Sequence, residues 1–163
     1  MRNIVHFIGI GGIGMSALAR YFLSEGWQVS GSDISPSEIT NALKKEGVKI
    51  FIGHQYSHIR TNRSITKIIY NQAITRDNPE LAEAKKLGIP CQSYPEAVGE
   101  LTKKYKTVAI AGAHGKSTTT GMVALTLIAA GFDPTVIIGT KLPQFKNKNF
   151  RKGNSEWLVL EAD

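Results

Sequence analysis

The chain has 163 residues, of which 42% are hydrophobic and 20% are charged, and its formal net charge is +7. This composition is typical of a soluble globular protein, and no stretch approaches the roughly 18 consecutive apolar residues of a membrane span. The single cysteine, Cys91, excludes an internal disulfide, fits a reducing cytoplasm and lies in an apolar run that predicts a core residue.

The chain opens with a strand, a glycine turn and a helix. Residues 3–8 are apolar and β-branched, so we expect no secretory signal before them. Gly9, Gly11 and Gly14 have the G-x-G-x-x-G spacing that brings backbone close to a pyrophosphate at a helix N-terminus. A second strand over residues 27–32 ends at Asp33, where dinucleotide-binding folds hold a ribose hydroxyl. A purely structural turn, with Asp33 facing solvent, is the alternative.

Strands and helices then alternate. Ser35 to Glu38 predicts a capping box with Ser35 as the N-cap, and further strands are expected over residues 48–52, 65–70 and 90–93. His54 follows one of these strands, where it either faces the ligand crevice or is solvated. Asn71, Gln72 and Ala73 follow another. The alternation predicts a Rossmann-like, doubly wound, mostly parallel α/β sheet, with the loops after its strands converging on one edge.

A second phosphate-binding turn lies in the stretch VAIAGAHGKSTTT, residues 108–120. Residues 108–112 indicate a buried strand, and a helix is expected from Lys116 onward. The turn between them offers backbone N–H groups, the Lys116 charge and a Ser117 hydroxyl for a phosphate-bound Mg²⁺. The match to the common nucleotide loop is partial, because Ile110 stands at the first glycine position. A structural strand-to-helix turn is the alternative.

Beyond that turn, one helix face carries Met122, Leu125 and Ala129, and a strand is expected over residues 134–138. Five cations then lie within twelve residues that contain no acid: Lys141, Lys146, Lys148, Arg151 and Lys152. Either a solvated mobile loop or a surface for polyanions would explain them. A last strand, residues 157–160, delivers Glu161 and Asp163, which are placed to support Mg²⁺. The charged joint at residues 101–106 predicts a domain boundary between residues 103 and 104, and residues 104–163 are short for a complete α/β domain.

These motifs resemble the muramyl ligases of peptidoglycan synthesis. The resemblance rests on HFIGIGGIGMSALA (residues 6–19), VSGSD (29–33), FIGH (51–54), DNPE (77–80), GIP (88–90), GAHGKSTTT (112–120) and LEAD (160–163). Family loops usually have threonine at the positions of Ala113 and Ser117, and Ser-Ser-Ala-Ile where this chain has residues 71–74. The resemblance implies a UDP-sugar-binding domain over residues 1–103 and the truncated start of a P-loop-type central ATPase domain over residues 104–163.

The resemblance also implies an activity, in which ATP and Mg²⁺ drive the joining of L-alanine to UDP-N-acetylmuramate through an acyl phosphate. The implied contacts with the UDP substrate are Gly11, Gly12, Ile13, Gly14, Asp33, His54, Asn71, Gln72 and Ala73. Those with ATP are Gly112, Ala113, His114, Gly115, Lys116, Ser117 and Thr118. Lys116 would be catalytic by neutralising the transferred phosphoryl group, and Ser117 with Glu161 would hold Mg²⁺. The 163 residues alone are expected to bind but not to catalyse.

Two other functions remain open from the sequence. An NAD-dependent oxidoreductase or nucleotide sensor would explain the first glycine turn but leave the second unused. A murein-peptide recycling ligase would share a related N-terminal part. Nucleic acid is a weaker candidate partner, because the basic residues have no interleaved aromatic side chains.

Overall fold

The computed structural model describes residues 3–162, which divide into two compact units between Ala97 and Val98. The elements of the first unit, in chain order, are β1 (Ile4–Ile8), α1 (Ile13–Ser24), β2 (Gln28–Asp33), α2 (Glu38–Lys45), β3 (Lys49–Ile52), α3 (Ser57–Arg60), β4 (Ile65–Tyr70), α4 (Pro79–Lys86) and β5 (Cys91–Ser93). The division falls within α5 (Tyr94–Thr102). The boundary after residue 103 stays a prediction.

The first unit is built on a five-stranded parallel sheet in the order β3-β2-β1-β4-β5. β1 is central, and Val5 to Ile8 are all buried, as expected of a strand covered on both faces. The predicted α/β fold with a parallel sheet is therefore confirmed. Because all five strands run the same way, their carboxyl ends share one edge. The glycine turn, Gly53 and Asn71 follow three of those ends, and Asp33 is the last residue of β2.

Cys91 is half-buried and packs against an apolar cluster that includes Ile68 and Leu81. Its thiol donates to the carbonyl of Ile89 at 3.2 Å, and burial raises the pKa of the thiol. This environment suits a packed side chain rather than a thiolate nucleophile.

The second unit contains β6 (Lys106–Ile110), α6 (Lys116–Ala129), β7 (Thr135–Leu142), a 3-10 turn (Pro143–Phe145), β8 (Lys148–Arg151) and β9 (Trp157–Glu161). Its sheet has the order β6-β9-β7-β8, with only the β7–β8 pair antiparallel. β6 therefore lies at an edge, and the prediction of a buried strand there is wrong: Val108 and Ile110 are half-buried and Ala109 is exposed.

The expected apolar face of α6 is only partly correct, because Leu125 packs against the apolar core but the other two residues do not. Met122 is 65% exposed and Ala129 is exposed, whereas Thr120, Gly121 and Ala124 are buried. Gly121 faces the side chains of Ile138 and Leu142 in β7. The larger apolar residues Val123, Leu125, Leu127 and Ile128 pack against the same core beside these small residues.

The basic stretch is a hairpin and not a mobile loop. β8 pairs with β7, Asn149 and Phe150 are buried, and Lys146 and Asn147 take left-handed backbone conformations at the turn. Arg151 donates to Asp133 and to the carbonyl of Pro134, so its charge serves packing within the unit.

The capping box of α2 starts two residues later than predicted. Ser37, not Ser35, accepts the N–H of Thr40, and the Thr40 hydroxyl accepts the N–H of Ser37. Thr40 is buried, and its methyl group lies beside Gly11, so packing under the glycine turn sets where the helix begins. Among residues 3–162, no helix is both long and apolar enough to cross a membrane.

Candidate nucleotide-binding sites

The first glycine turn joins β1 to α1 and is tied to the neighbouring strand. The N–H groups of Gly9 and Ile10 both donate to the carbonyl of Ser32, at 2.9 and 3.0 Å. Gly9 has φ +80°, which only glycine adopts readily. Gly12 caps α1 without any side-chain hydrogen bond, and the first turn holds no acid. The positive end of the helix therefore suits an anion.

Asp33 lies directly against this turn. Its Oδ2 accepts the N–H of Gly11 at 2.7 Å, and its Oδ1 accepts the N–H of Ile34 at 2.8 Å. A Cβ added at Gly11 would stand 2.7 Å from Asp33 Oδ2, and one at Gly14 would stand 2.7 Å from the Tyr94 ring. These contacts explain why the turn needs glycine at both positions.

The structure also brings Asn71 to the turn. A Cβ at Gly12 would stand 2.9 Å from Asn71 Nδ2, and the Asn71 N–H donates to the carbonyl of Ile8 at 3.0 Å. Asn71 Oδ1 accepts the N–H of Ala73 at 2.9 Å, which shapes the loop after β4. Gln72 and Ala73 are exposed on that loop. Their contacts with a ligand stay predictions.

Four exposed apolar side chains lie at or beyond the same strand ends: Ile13, Ile34, Ile52 and Tyr56. Ile13 is one of the implied UDP-substrate contacts, and sequence reasoning missed the other three. Each comes within four residues of a strand end or the glycine turn, which is the only signal that could have found them. Exposed apolar groups at the ligand edge of a parallel sheet suit the flat face of a base or sugar.

His54 is mostly buried and hydrogen-bonded, not solvated. Its side chain is 13% exposed, its Nδ1 lies 3.0 Å from both Ser32 Oγ and Glu80 Oε2, and its Nε2 is buried without a hydrogen-bond partner. The solvated alternative for His54 is therefore wrong, and its contact with a UDP substrate stays a prediction. It belongs to a buried cluster behind the strand ends, hereafter the Glu80 cluster, made of His6, Ser32, His54, His58 and Glu80.

Glu80 is the centre of that cluster and is fully buried at the start of α4. Its Oε1 lies 2.5 Å from His58 Nδ1 and 3.7 Å from His6 Nε2, and its Oε2 also bonds Ser32 Oγ. Burial pushes the pKa of Glu80 upward, but the histidine and serine contacts outweigh it and lower the pKa to about 2. Sequence reasoning used Glu80 only as one letter of a motif, because its partners are far away along the chain.

The second glycine-rich turn joins β6 to α6. Gly112 to Gly115 are exposed, and Gly115 caps the helix in the left-handed conformation, φ +76°, without a side-chain cap or an acid in the first turn. Lys116 Nζ donates to the carbonyl of Gly112 at 2.9 Å, so the lysine folds back over the turn. Ala113, His114 and Thr118 are exposed around it. Exposed N–H groups, a helix end and a lysine are what a phosphate chain needs.

Ser117 and Glu161, 44 residues apart in sequence, meet beside this turn. Ser117 Oγ donates to Glu161 Oε1 at 2.8 Å, and the Gly139 N–H donates to Glu161 Oε2 at 2.6 Å. A hydroxyl and a carboxylate are the hard oxygen ligands that Mg²⁺ prefers, so the pair fits that ion. No group of three or more His, Cys, Asp or Glu residues suited to a metal occurs within residues 3–162. Asp163 lies outside the described residues.

Comparison with known proteins places these sites in a family context. A profile described as the Mur ligase family, catalytic domain, matches residues 4–106. The UDP-N-acetylmuramate–L-alanine ligase of Carboxydothermus hydrogenoformans is 43% identical over 98% of this chain, and that of Aquifex aeolicus is 47% identical over 97% of this chain. The chain spans 34% of the length of each of these relatives.

Solved structures agree in fold. The crystal structure of UDP-N-acetylmuramate-alanine ligase from Thermotoga maritima matches 96% of this chain with a TM-score of 0.88 and 36% identity, over 36% of its own length. A UDP-N-acetylmuramate:L-alanyl-γ-D-glutamyl-meso-diaminopimelate ligase from Neisseria matches 100% of this chain with a TM-score of 0.90 and 26% identity, over 53% of its own length.

Proposed function

This chain belongs to the Mur ligase family, and from that premise we propose that it is the nucleotide-binding portion of a ligase that joins L-alanine to UDP-N-acetylmuramate. Relatives with that name are 43% and 47% identical to the chain. Because the chain spans about a third of their length, we expect binding, without turnover, from these residues alone. The single cysteine and the nucleotide substrates favour a reducing cytoplasm as its location.

The observation that carries the proposal is the presence on one chain of two glycine turns, each opening a helix whose N-terminus has no side-chain cap. Each turn follows a strand of a parallel pair, opens a helix and lacks an acid in the first turn of that helix. Two separate phosphate-binding turns fit a reaction with two nucleotide substrates. An oxidoreductase that binds one dinucleotide would leave the turn at Gly112 to Gly115 without a role.

In the proposed UDP site, Gly11 to Gly14 hold the pyrophosphate through backbone N–H groups and the positive end of α1. Asp33 accepts from ribose hydroxyls, and Asn71 lines the turn from the next strand end. Glycine at positions 11 and 14 keeps the turn in this conformation, because side chains there would meet Asp33 and Tyr94. His54 supports this site from the Glu80 cluster.

In the proposed ATP site, the N–H groups of residues 112–118 surround the phosphates and Lys116 binds the transferred phosphoryl group. Ser117 and Glu161 would hold Mg²⁺, which when bound neutralises phosphate charge. The lactyl carboxylate of the UDP substrate takes the γ-phosphoryl group and ADP leaves. The amine of L-alanine then displaces phosphate to form the amide. No protein nucleophile is needed.

Calorimetric titration of this chain with UDP-N-acetylmuramate tests the proposal, with NAD and UDP-N-acetylglucosamine as competing ligands. We expect selective binding of UDP-N-acetylmuramate and its loss in Gly11→Ala, whose new Cβ would meet Asp33. Gly99→Ala is the matched control, because a Cβ there meets nothing within 4 Å. Binding of NAD in place of the UDP-sugar would overturn the proposal.

A murein-peptide ligase is the second candidate, favoured by the TM-score of 0.90 to the Neisseria structure. Both candidates share the UDP-N-acetylmuramate site, so binding to this chain cannot separate them. An amide-formation assay on a longer protein that contains this chain separates them, with L-alanine and with a tripeptide as alternative amines. We expect incorporation of L-alanine.

A further inference from the structure

We propose that Glu80 is a positioning residue for the UDP-substrate site. Glu80 holds Ser32 in place, and Ser32 in turn holds the glycine turn. This inference deepens the proposed function and rests on it for the identity of the ligand. Glu80 contacts none of the glycines itself. Its effect passes through one side chain and two backbone hydrogen bonds, each of which the structure shows.

Ser32 connects the Glu80 cluster to the turn. Its side chain bonds Glu80 Oε2, and its backbone carbonyl accepts the N–H groups of both Gly9 and Ile10. The next residue along β2 is Asp33, whose carboxylate accepts the N–H of Gly11. A displacement of Ser32 would therefore reach both walls of the turn.

Glu80 itself is held rigidly. Asn78 caps α4, and its Oδ1 accepts the N–H groups of Glu80 and Leu81 at 3.0 and 3.2 Å. Pro79 occupies the first turn and fixes the backbone further. The carboxylate is fully buried and lies within 3.0 Å of Nδ1 atoms on two histidines. A buried polar network whose members are hydrogen-bonded to one another holds those members in one geometry.

The two histidines belong to the segment that follows β3. An ionised carboxylate only accepts hydrogen bonds, so His54 and His58 must each donate from Nδ1. Glu80 thereby fastens the loop after β3 to the end of β2. The cluster joins three strand ends at the ligand edge: that of β1 through the glycine turn, that of β2 through Ser32 and that of β3 through His54.

The test compares Glu80→Gln with Glu83→Gln, the same change on the same helix outside the cluster. Amide hydrogen exchange by NMR follows Gly9 and Ile10, with Ile68 as the reference because its N–H donates to Pro90 on the other side of the sheet. Glu80→Gln also lowers global stability, which accelerates exchange at Ile68, so we expect Gly9 and Ile10 to exchange about ten-fold faster relative to Ile68 than they do in the parent chain. The affinity for UDP-N-acetylmuramate should fall about ten-fold, and Glu83→Gln should match the parent chain.

Ser32→Ala provides a second route if Glu80→Gln does not fold. It removes the hydroxyl link while the carboxylate stays, and it should reproduce the faster exchange at Gly9 and Ile10. Equal acceleration at Ile68 would mean that the cluster serves global stability only, and unchanged exchange at Gly9 and Ile10 would also overturn the proposal. If the parent chain binds no UDP-N-acetylmuramate, the proposed function fails, while the exchange rates still decide the role of Glu80.

Discussion

The proton of His54 can be assigned from its neighbours. Glu80 accepts hydrogen bonds when ionised, and its Oε2 lies 3.0 Å from His54 Nδ1, so the neutral imidazole carries its proton on Nδ1. We expect two-dimensional ¹H–¹⁵N spectra at alkaline pH to show the Nδ1–H tautomer for both His54 and His58. An Nε2–H tautomer at His54 would contradict the hydrogen-bond pattern of the Glu80 cluster.

The Glu80 carboxyl makes the free energy of unfolding depend on pH in the acid range. Its pKa falls from 4.5 to about 2 on folding, with His6, Ser32, His54 and His58 facing it. Since the folded pKa is the lower one, the stabilisation is complete above pH 4.5 and is lost as the pH falls toward 2. The shift corresponds to about 3 kcal/mol of unfolding free energy. Urea unfolding at several pH values between 6 and 2 should show the parent chain losing its advantage over Glu80→Gln in that window.

At the scale of elements, β7 controls the position of the carboxylate that ends β9. The Gly139 N–H donates to Glu161 Oε2, and a Cβ at Gly139 would stand 2.7 Å from Glu161 Oε1. Gly139→Ala must move that carboxylate away from Ser117. We expect Mg²⁺-ATP to bind about ten-fold more weakly, because one charge-assisted hydrogen bond and the Mg²⁺ geometry are lost.

Titration of this chain with ATP, with and without Mg²⁺, measures that effect, and Gly99→Ala is again the control. Ser117→Ala should give a loss of similar size. If Gly139→Ala binds Mg²⁺-ATP as well as the parent chain does, Glu161 is not part of the nucleotide site.

The elements that the sequence predicts well are those with a local signal. The glycine turns, the strands that precede them and the helices that follow are all present, and Ser117 does meet Glu161. β8 was missed because its sequence, KNFR, is polar and its turn at Lys146 and Asn147 lacks glycine. Its strand character comes from pairing with β7, which no local pattern encodes. The Glu80 cluster was missed for the same reason, since its members come from four separate segments.

We expect these 163 residues to bind their nucleotides without turning them over. The chain spans 34% of the length of the ligases that it matches. Supplied with UDP-N-acetylmuramate, L-alanine, ATP and Mg²⁺, it should release phosphate no faster than its Lys116→Ala variant does. The Aquifex aeolicus ligase, assayed in parallel, is the positive control. Phosphate release above the variant would show that these 163 residues turn over ATP without the rest of a longer protein.

The bond between Gly11 and Asp33 has a consequence for ligand discrimination. The Asp33 carboxylate is held next to the proposed anion-binding position of the turn, so it competes with any incoming anion at a high effective concentration. A free phosphate must displace the Asp33 carboxylate and gives it no new hydrogen bond in exchange. A nucleotide displaces it too, but its ribose hydroxyl can donate a hydrogen bond to the displaced carboxylate. The turn should therefore bind phosphates that carry a sugar more tightly than free phosphates. Titrations of the chain with pyrophosphate and with UDP would test this difference in affinity.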